Sequence, residues 1–204
     1  MSDSFLHERL APAAVHLCID MQRLLAPEGP WPTPWMMSAL ERQIRLVEHS
    51  QASTVFTRFI PPSSAQEMPG RWRRYYEKWR RVTREFIDPG LLELVAPLRS
   101  FAPPAVVVDK TRYSAFFQSP LKATLASRGV DTLIISGAET DVCVLATVLD
   151  AVDLGYRVVV ASDAVCSSSD ECHDALMTLY HNRFSEQIEI ADTDTIIESW
   201  RINE

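Results

Sequence analysis

The chain has 204 residues, of which 47% are hydrophobic and 23% are charged, and its formal net charge is −7. This length predicts one domain over residues 1–204, and the acidic balance argues against nucleic acid or an anionic membrane as a partner. Residues 1–12 show no signal-peptide pattern, no apolar run is long enough to cross a bilayer, and the four cysteines lack CxxC spacing. We therefore expect a cytoplasmic protein with reduced thiols.

Short apolar runs alternate with helical patterns along the chain. Six runs are predicted as strands: Val15–Asp20, Thr54–Phe59, Ala105–Asp109, Thr132–Gly137, Arg157–Ser162 and Gln187–Ala191. Five stretches are predicted as helices: Pro34–Ser50, Gly90–Arg99, Pro120–Arg128, Asp141–Leu154 and Glu171–Phe184. This alternation predicts the α/β class, a doubly wound three-layer α-β-α sandwich with a mainly parallel six-stranded sheet. Its ligand site would lie beyond the carboxyl ends of the strands.

An insert at about 61–86 interrupts the alternation. It contains an arginine-rich run in which Trp72, Tyr76 and Trp79 recur at helical spacing. Basic residues interleaved with aromatic ones occur in nucleic-acid-binding proteins. The acidic chain favours the other interpretation, an amphipathic helix packed on the domain or on a second subunit. Roles as a lid or as an anchor for an anionic substrate stay open.

Three polar residues stand at the carboxyl ends of different predicted strands. Asp20 closes the first strand, Lys110 follows the third, and Cys143 lies in the first turn of the helix after the fourth. Each has an ordinary structural interpretation, as a cap, a solvated charge or a small buried hydrophobe. Together they bring an acid, an ammonium and a thiol to one edge of the sheet, which suits acyl transfer. The helix N-terminus also predicts a lowered thiol pKa.

Three motifs in order give the chain a family resemblance from about Val15 to Ala191. The motifs are Asp20-Met21-Gln22, Lys110 with Ser114-Ala115-Phe116, and Gly137-x-x-Thr140-x-x-Cys143-Val144. With them the chain resembles the isochorismatase-like cysteine hydrolases, which include nicotinamidases, N-carbamoylsarcosine amidohydrolases and ureide hydrolases. The resemblance implies that fold and hydrolysis of the C–N bond of a small amide, carbamoyl or ureide substrate. It also implies a homodimer or homotetramer.

The resemblance further implies a catalytic triad of Asp20, Lys110 and Cys143. Asp20 would take the thiol proton as Cys143 attacks the carbonyl carbon, and a thioester would form as ammonia or an amine leaves. A cis peptide bond between Ala138 and Glu139 is implied as well. The backbone N–H groups of Glu139 and Cys143 would form the oxyanion hole, while the Glu139 side chain is expected to face solvent.

The chain departs from the nicotinamidase pattern after the second strand. Nicotinamidases carry an Asp-x-His metal motif there, whereas residues 57–61 contain neither Asp nor His. His173 and His181 share a predicted surface helix and are interpreted as solvated. We therefore expect no metal and no organic cofactor.

Pocket walls are expected from the loops after the first three strands. An inward-facing Arg58 would favour a carboxylate-bearing substrate, whereas the many aromatic side chains suit a planar or apolar substituent. Tyr75, Tyr76 or Trp79 would close over the site. The full set of substrate-binding candidates is Gln22, Leu24, Trp31, Trp35, Arg58, Tyr113 and Phe116.

Three rival functions are weighed against the hydrolase. A dinucleotide-dependent enzyme needs a glycine-rich turn, and the chain contains no GxGxxG. An isochorismatase-type hydrolase would cleave a vinyl ether with Asp20 as the acid and would need no thiol, so Cys143 argues against it. A non-catalytic interaction protein on the same fold would not be expected to keep the whole triad.

Overall fold

A computed structural model describes residues 6–201, so the ends of the predicted domain, residues 1–5 and 202–204, lie outside the described part. Its strands are β1 (Val15–Ile19), β2 (Thr54–Phe59), β3 (Val106–Lys110), β4 (Thr132–Ala138), β5 (Arg157–Cys166) and β6 (Ile188–Ala191). They form one sheet in the order β3-β2-β1-β4-β5-β6, and every neighbouring pair is parallel. The predicted doubly wound parallel sheet is therefore confirmed.

In the described part of the chain, seven α-helices connect or follow these strands. They are α1 (Met36–His49), α2 (Gly70–Lys78), α3 (Ala96–Arg99), α4 (Leu121–Ala126), α5 (Leu145–Asp153), α6 (Asp170–Arg183) and α7 (Thr193–Ser199). A π-helical turn over Thr140–Val144 leads directly into α5. Within residues 6–201 none of these helices has both the length and the apolar character that a bilayer-spanning helix needs.

Side chains along the inner strands alternate between two apolar layers. In β1, Leu17 and Ile19 pack with α4, α5 and α6, whereas Cys18 between them packs with α1 and α3. Ile196 of α7 joins the α1 side. All five residues of β1 and all seven of β4 are buried, as expected of central parallel strands covered on both faces. The predicted α-β-α sandwich is confirmed.

The sheet changes winding direction between β1 and β4, which lie side by side at its centre. Gly137, near the end of β4, has φ +112°, and a Cβ built there would lie 2.1 Å from the Ile19 carbonyl oxygen. Only glycine allows the two backbones to approach this closely. The crevice beyond these strand ends is where a doubly wound sheet binds its ligand.

Several element boundaries differ from the sequence predictions. The stretch predicted as one helix, Gly90–Arg99, is a 3₁₀ turn over Pro89–Leu92, an extended segment and then α3. The extended segment forms because Leu94 pairs with Gln22 and the Val95 N–H donates to the Met21 carbonyl at 3.0 Å. β5 continues four residues past its predicted end to Cys166, and α7 was not predicted at all.

The insert folds against the carboxyl edge of the sheet. Tyr76 of α2 is fully buried and shares an apolar cluster with Phe59 at the end of β2 and with Leu24. The helix ends at Lys78 instead of continuing through the basic run, and Arg80–Val82 forms a 3₁₀ turn. The aromatic stripe therefore packs on the domain, in agreement with the favoured interpretation of this segment.

Candidate active site

An ion pair lies at the carboxyl edge of the sheet, beside the crevice between β1 and β4. The Lys110 Nζ is 2.6 Å from the Asp20 Oδ2, and both side chains are almost completely removed from solvent. Burial by itself would lower the pKa of the Lys110 ammonium, but the neighbouring Asp20 carboxylate raises it on balance. Lys110 therefore remains charged in a place where an isolated ammonium would be very costly.

The ammonium reaches Asp20 across the end of β2, because β3 is not adjacent to β1. Phe59 is paired in register with Lys110, and the Lys110 Nζ lies 5.3 Å from the centre of its ring. The same nitrogen donates to the carbonyl oxygens of Arg112 at 2.8 Å and Tyr113 at 3.0 Å. The Lys110 ammonium is thus held between the carboxylate and the backbone that follows β3.

Thr57 on β2 fixes the second oxygen of Asp20 and was not anticipated from the sequence. Its Oγ1 donates to the Asp20 Oδ1 at 2.6 Å and accepts from the Asp20 N–H at 3.1 Å. Asp20 itself has φ +50°, an unusual backbone conformation for a residue other than glycine. The only signal in the sequence was a buried hydroxyl on the strand next to β1, and such hydroxyls are common.

Cys143 lies beside this ion pair. It is half-buried in the π-helical turn, and its thiol is within hydrogen-bonding reach of both Asp20 and Lys110. Burial raises the pKa of this thiol to about 12; Lys110 opposes the increase and Asp20 adds to it. The expectation of a lowered pKa was wrong, because desolvation and the neighbouring carboxylate outweigh the helix terminus. The resting thiol is protonated at neutral pH.

This protonation state predicts how Cys143 reacts with iodoacetamide, which is attacked by the thiolate. Because the thiol pKa is raised to about 12, the alkylation rate should increase about tenfold per pH unit from pH 7 to pH 10 without levelling off. Asp20→Asn removes a group that raises the pKa, so the same rise should shift to lower pH. Peptide mass mapping follows each site, with the exposed Cys172 as an internal reference. A Cys143 rate that levels off below pH 8 would contradict the assignment.

The Ser114-Ala115-Phe116 motif ties the loop after β3 to the turn and helix that follow β4. Ser114 donates its hydroxyl hydrogen to Asp150 of α5. The Thr147 Oγ1 accepts from the Ala115 N–H at 3.0 Å and donates to the Cys143 carbonyl at 2.7 Å. These bonds set the distance between the segment that carries Lys110 and the segment that carries Cys143.

The peptide bond between Ala138 and Glu139 is cis in the structure. The Glu139 side chain was expected to face solvent, and the structure places it differently. It is half-buried, lines the cavity described below, and accepts a hydrogen bond from the Ser168 N–H at 3.0 Å. Ser167 and Asp141 form a second link between the same two loops, because Ser167 donates its hydroxyl hydrogen to the Asp141 Oδ1 at 2.5 Å.

A cavity of about 410 Å³ opens directly onto Asp20 and Cys143. Six of its other lining residues are aromatic, and we call them the aromatic wall. The aromatic wall consists of Trp31, Phe59, Trp72, Tyr75, Trp79 and Tyr113. Trp31 and Phe59 come from the domain, and the others come from the insert and from the loop after β3.

Of the substrate-binding candidates, Leu24, Trp31 and Tyr113 line the cavity, as do Tyr75 and Trp79 of the insert. Trp72 also lines it and was not among them. The remaining candidates, Gln22, Trp35, Arg58 and Phe116, do not line the cavity.

Gln22 is buried, donates to the carbonyls of Phe59 and Leu92, and accepts from the Phe59 N–H, so it acts as a structural link. Phe116 stacks on Tyr156 with ring centroids 5.7 Å apart. Trp35 is 52% exposed beside His173.

Arg58 does not face the cavity, contrary to the expectation from the sequence. Its guanidinium donates to Asp109 at 2.8 and 3.0 Å and to Glu93 at 2.9 Å, and it does not line the cavity. A neighbouring strand supplies Asp109, because residues 58 and 109 are paired in register. The anion-binding role suggested for Arg58 therefore has no support in its geometry.

The interpretation of His173 as solvated was also wrong. Its Nδ1 lies 2.9 Å from the Thr140 Oγ1, at the start of the π-helical turn, and the side chain is half-buried. Among residues 6–201 no three His, Cys, Asp or Glu side chains are grouped in a way that could hold a metal ion.

The family follows from a comparison with known proteins. A family model described as the isochorismatase domain matches residues 14–192, which is most of the chain. The chain belongs to the isochorismatase family. The predicted resemblance is confirmed, and the match includes Asp20, Lys110 and Cys143.

Several proteins similar to this chain are named amidohydrolases. The maleamate amidohydrolase of Pseudomonas putida is 30% identical over 165 residues, 78% of this chain and 75% of that protein. The ureidoacrylate amidohydrolase RutB of Variovorax paradoxus is 46% identical over 72 residues, 35% of this chain and 28% of that protein. The uncharacterized family protein PncA of Bacillus subtilis is 37% identical over 86 residues, which are 47% of its length. The last two matches span less than half of those relatives.

Solved structures agree on the fold of the isochorismatase family. A cysteine hydrolase from Pseudomonas syringae pv. phaseolicola superposes with a TM-score of 0.83 at 24% identity, covering 98% of both chains. N-carbamoylsarcosine amidase from Thermoplasma acidophilum superposes with a TM-score of 0.72 at 21% identity, covering 89% of this chain and 96% of that one.

Proposed function

We propose that the protein is a cysteine hydrolase that cleaves the C–N bond of a small amide, carbamoyl or ureide substrate. The observation that carries the proposal is the contact among Asp20, Lys110 and Cys143 at one end of a cavity. The amidohydrolase names of several family relatives support the reaction class. The whole site is formed by residues within the matched range, 14–192, which we propose acts as a single catalytic domain.

The first half-reaction uses Asp20 as the proton acceptor. Because the resting thiol is neutral, its proton passes to the Asp20 carboxylate as the Cys143 sulfur forms a bond to the carbonyl carbon. Lys110 stabilises the charges that develop around this transfer, since its ammonium contacts both partners. The C–N bond then breaks, the nitrogen takes the proton from Asp20, and ammonia or an amine leaves a thioester on Cys143.

The second half-reaction returns the site to its starting state. Water attacks the thioester carbon and passes a proton to Asp20, the C–S bond breaks, and the sulfur regains that proton. In both halves the carbonyl oxygen becomes negatively charged. The backbone N–H groups of Glu139 and Cys143 are the proposed donors to it, and one such donor typically contributes about 3 kcal/mol of transition-state stabilisation.

Ammonia release tests this function, and hydroxylamine tests the intermediate. Small primary amides, N-carbamoyl compounds and ureides are incubated with the protein, and ammonia is measured by a coupled assay. With hydroxylamine present, the thioester should be intercepted as a hydroxamate or a hydroxyurea. Dialysis against a chelator should leave turnover unchanged. A folded protein that releases ammonia from no compound would overturn the function, and release without any intercepted product would overturn the thioester.

A further inference from the structure

We propose that this site selects uncharged amides that carry an aromatic or other apolar substituent and discriminates against amides that carry a carboxylate. The inference rests on the proposed function and specifies its substrate class. It comes from the composition of the cavity beyond the triad.

The aromatic wall forms a continuous apolar surface around the space next to Cys143. Trp31 contacts Tyr75 and Trp79, with ring centroids 6.3 and 5.8 Å apart. Trp72 contacts Tyr75 at 5.6 Å and Tyr113 at 4.9 Å. Binding of a planar or apolar group to such a surface is favourable because the group displaces water, and flat rings also stack on it.

Carboxylates are the only ionic side chains that line the cavity in the described part of the chain. Asp20 and Glu139 line it, and no Lys, Arg or His is among the lining residues. The Asp20 charge is balanced by Lys110 at 2.6 Å, whereas Glu139 is held by the neutral Ser168 N–H. The cavity therefore presents net negative charge to a substrate.

The arginines on neighbouring segments are directed at other groups. Arg58 is paired with Asp109 and Glu93. Arg112 lies 5.3 Å from the Trp72 ring centre and donates to the Thr111 carbonyl at 2.8 Å. A substrate carboxylate in this cavity would lose its water without gaining a cationic partner, and it would lie near Glu139.

This selectivity would separate the protein from two of its relatives. Maleamate and ureidoacrylate, which the names of those relatives specify, each carry a carboxylate beside the amide or ureide. Recognition of such substrates calls for a cation or a cluster of hydrogen-bond donors. The aromatic wall supplies neither beyond a few ring N–H and O–H groups, so a different substrate class fits this cavity.

Matched pairs of amides test the proposal. Maleamate is compared with the diamide of maleic acid, and 3-carboxybenzamide with benzamide, so that each pair differs mainly in one negative charge. We expect kcat/KM to be about tenfold or more higher for the neutral member of each pair, with benzamide the best of the four. An equal or higher kcat/KM for the anionic members would overturn the selectivity and leave the hydrolase function standing.

Two variants assign the selectivity to the cavity. Glu139→Gln keeps an oxygen for the Ser168 N–H but removes the charge, so the preference for neutral amides should fall several-fold. Trp72→Ala should raise KM for benzamide, whereas Phe86→Ala removes a 47% exposed ring of the same insert outside the cavity and should not. An unchanged preference in Glu139→Gln, or equal KM effects of Trp72→Ala and Phe86→Ala, would contradict the proposal.

Binding separates a failure of this inference from a failure of the proposed function. In Cys143→Ala, tryptophan fluorescence reports ligands through Trp31, Trp72 and Trp79. Benzamide should quench it at concentrations at least tenfold lower than 3-carboxybenzamide does. If no amide is hydrolysed by the unmodified protein, the function fails, and this measurement still decides which class of molecule the cavity accepts.

Discussion

Replacing Cys143 with alanine is expected to lower kcat/KM for the best amide by about four orders of magnitude. The variant removes the nucleophile and leaves the pair between Asp20 and Lys110 in place. Its thermal unfolding midpoint should therefore stay within a few degrees of that of the unmodified protein. Ammonia release measures the activity, and calorimetry measures the stability.

Two further variants show whether the site works as one unit. Asp20→Asn should lose a comparable amount of activity because the thiol then lacks its proton acceptor. The double variant Asp20→Asn/Cys143→Ala should be no slower than Cys143→Ala, since the two residues act in one step. Cys172→Ala is the matched control, because that thiol is exposed and outside the cavity. Full activity in Cys143→Ala would rule out the Cys143 thiol as the nucleophile.

Replacing Lys110 with methionine is expected to lower the free energy of unfolding by about 3–5 kcal/mol, in addition to abolishing turnover. The structural reason is that the Asp20 carboxylate is 0% exposed and would lose the ammonium 2.6 Å away. A solvated lysine, which was one interpretation of the sequence, would give almost no change. Urea unfolding at pH 7 measures the difference.

Two control variants show whether the loss of stability comes from an unpaired buried charge. Asp20→Asn/Lys110→Met removes both charges, so it should be markedly more stable than Lys110→Met alone. Arg58→Met breaks an ion pair with Asp109, whose side chain is 49% exposed, and should cost less than about 1 kcal/mol. A Lys110→Met protein as stable as Arg58→Met would contradict the assignment of a buried ion pair.

The architecture was predictable because the local signals and the tertiary packing agree. All six strands were predicted from apolar runs, and the central ones are buried on both faces. The prediction of one helix over Gly90–Arg99 was wrong because the pairing of Leu94 with Gln22 outweighs the local preference for a helix. α7 was missed, although Asp192 caps it by accepting from the Thr195 N–H at 2.8 Å, a signal that the sequence does contain.

The proximity of Asp20, Lys110 and Cys143 was predictable for a topological reason. The carboxyl ends of parallel strands lie at the same edge of the sheet, so residues at or just beyond the ends of β1, β3 and β4 come to that edge although they are distant in the chain. The partners of the triad were not predictable in the same way. Thr57 and the carbonyls of Arg112 and Tyr113 are ordinary groups, and their roles depend on which side chain points at them.

By itself, the sequence determined the doubly wound sheet, the family and the three residues that meet at its edge, because apolar periodicity and motif spacing are properties of the chain. The tertiary structure decided the charge of the site. Burial and the Asp20 carboxylate raise the Cys143 pKa, and strand register turns Arg58 towards Asp109. It also decided that the insert brings aromatic rings, not arginines, to the cavity. Electrostatics and side-chain direction depend on neighbours that are distant in sequence, so only the folded chain specifies them.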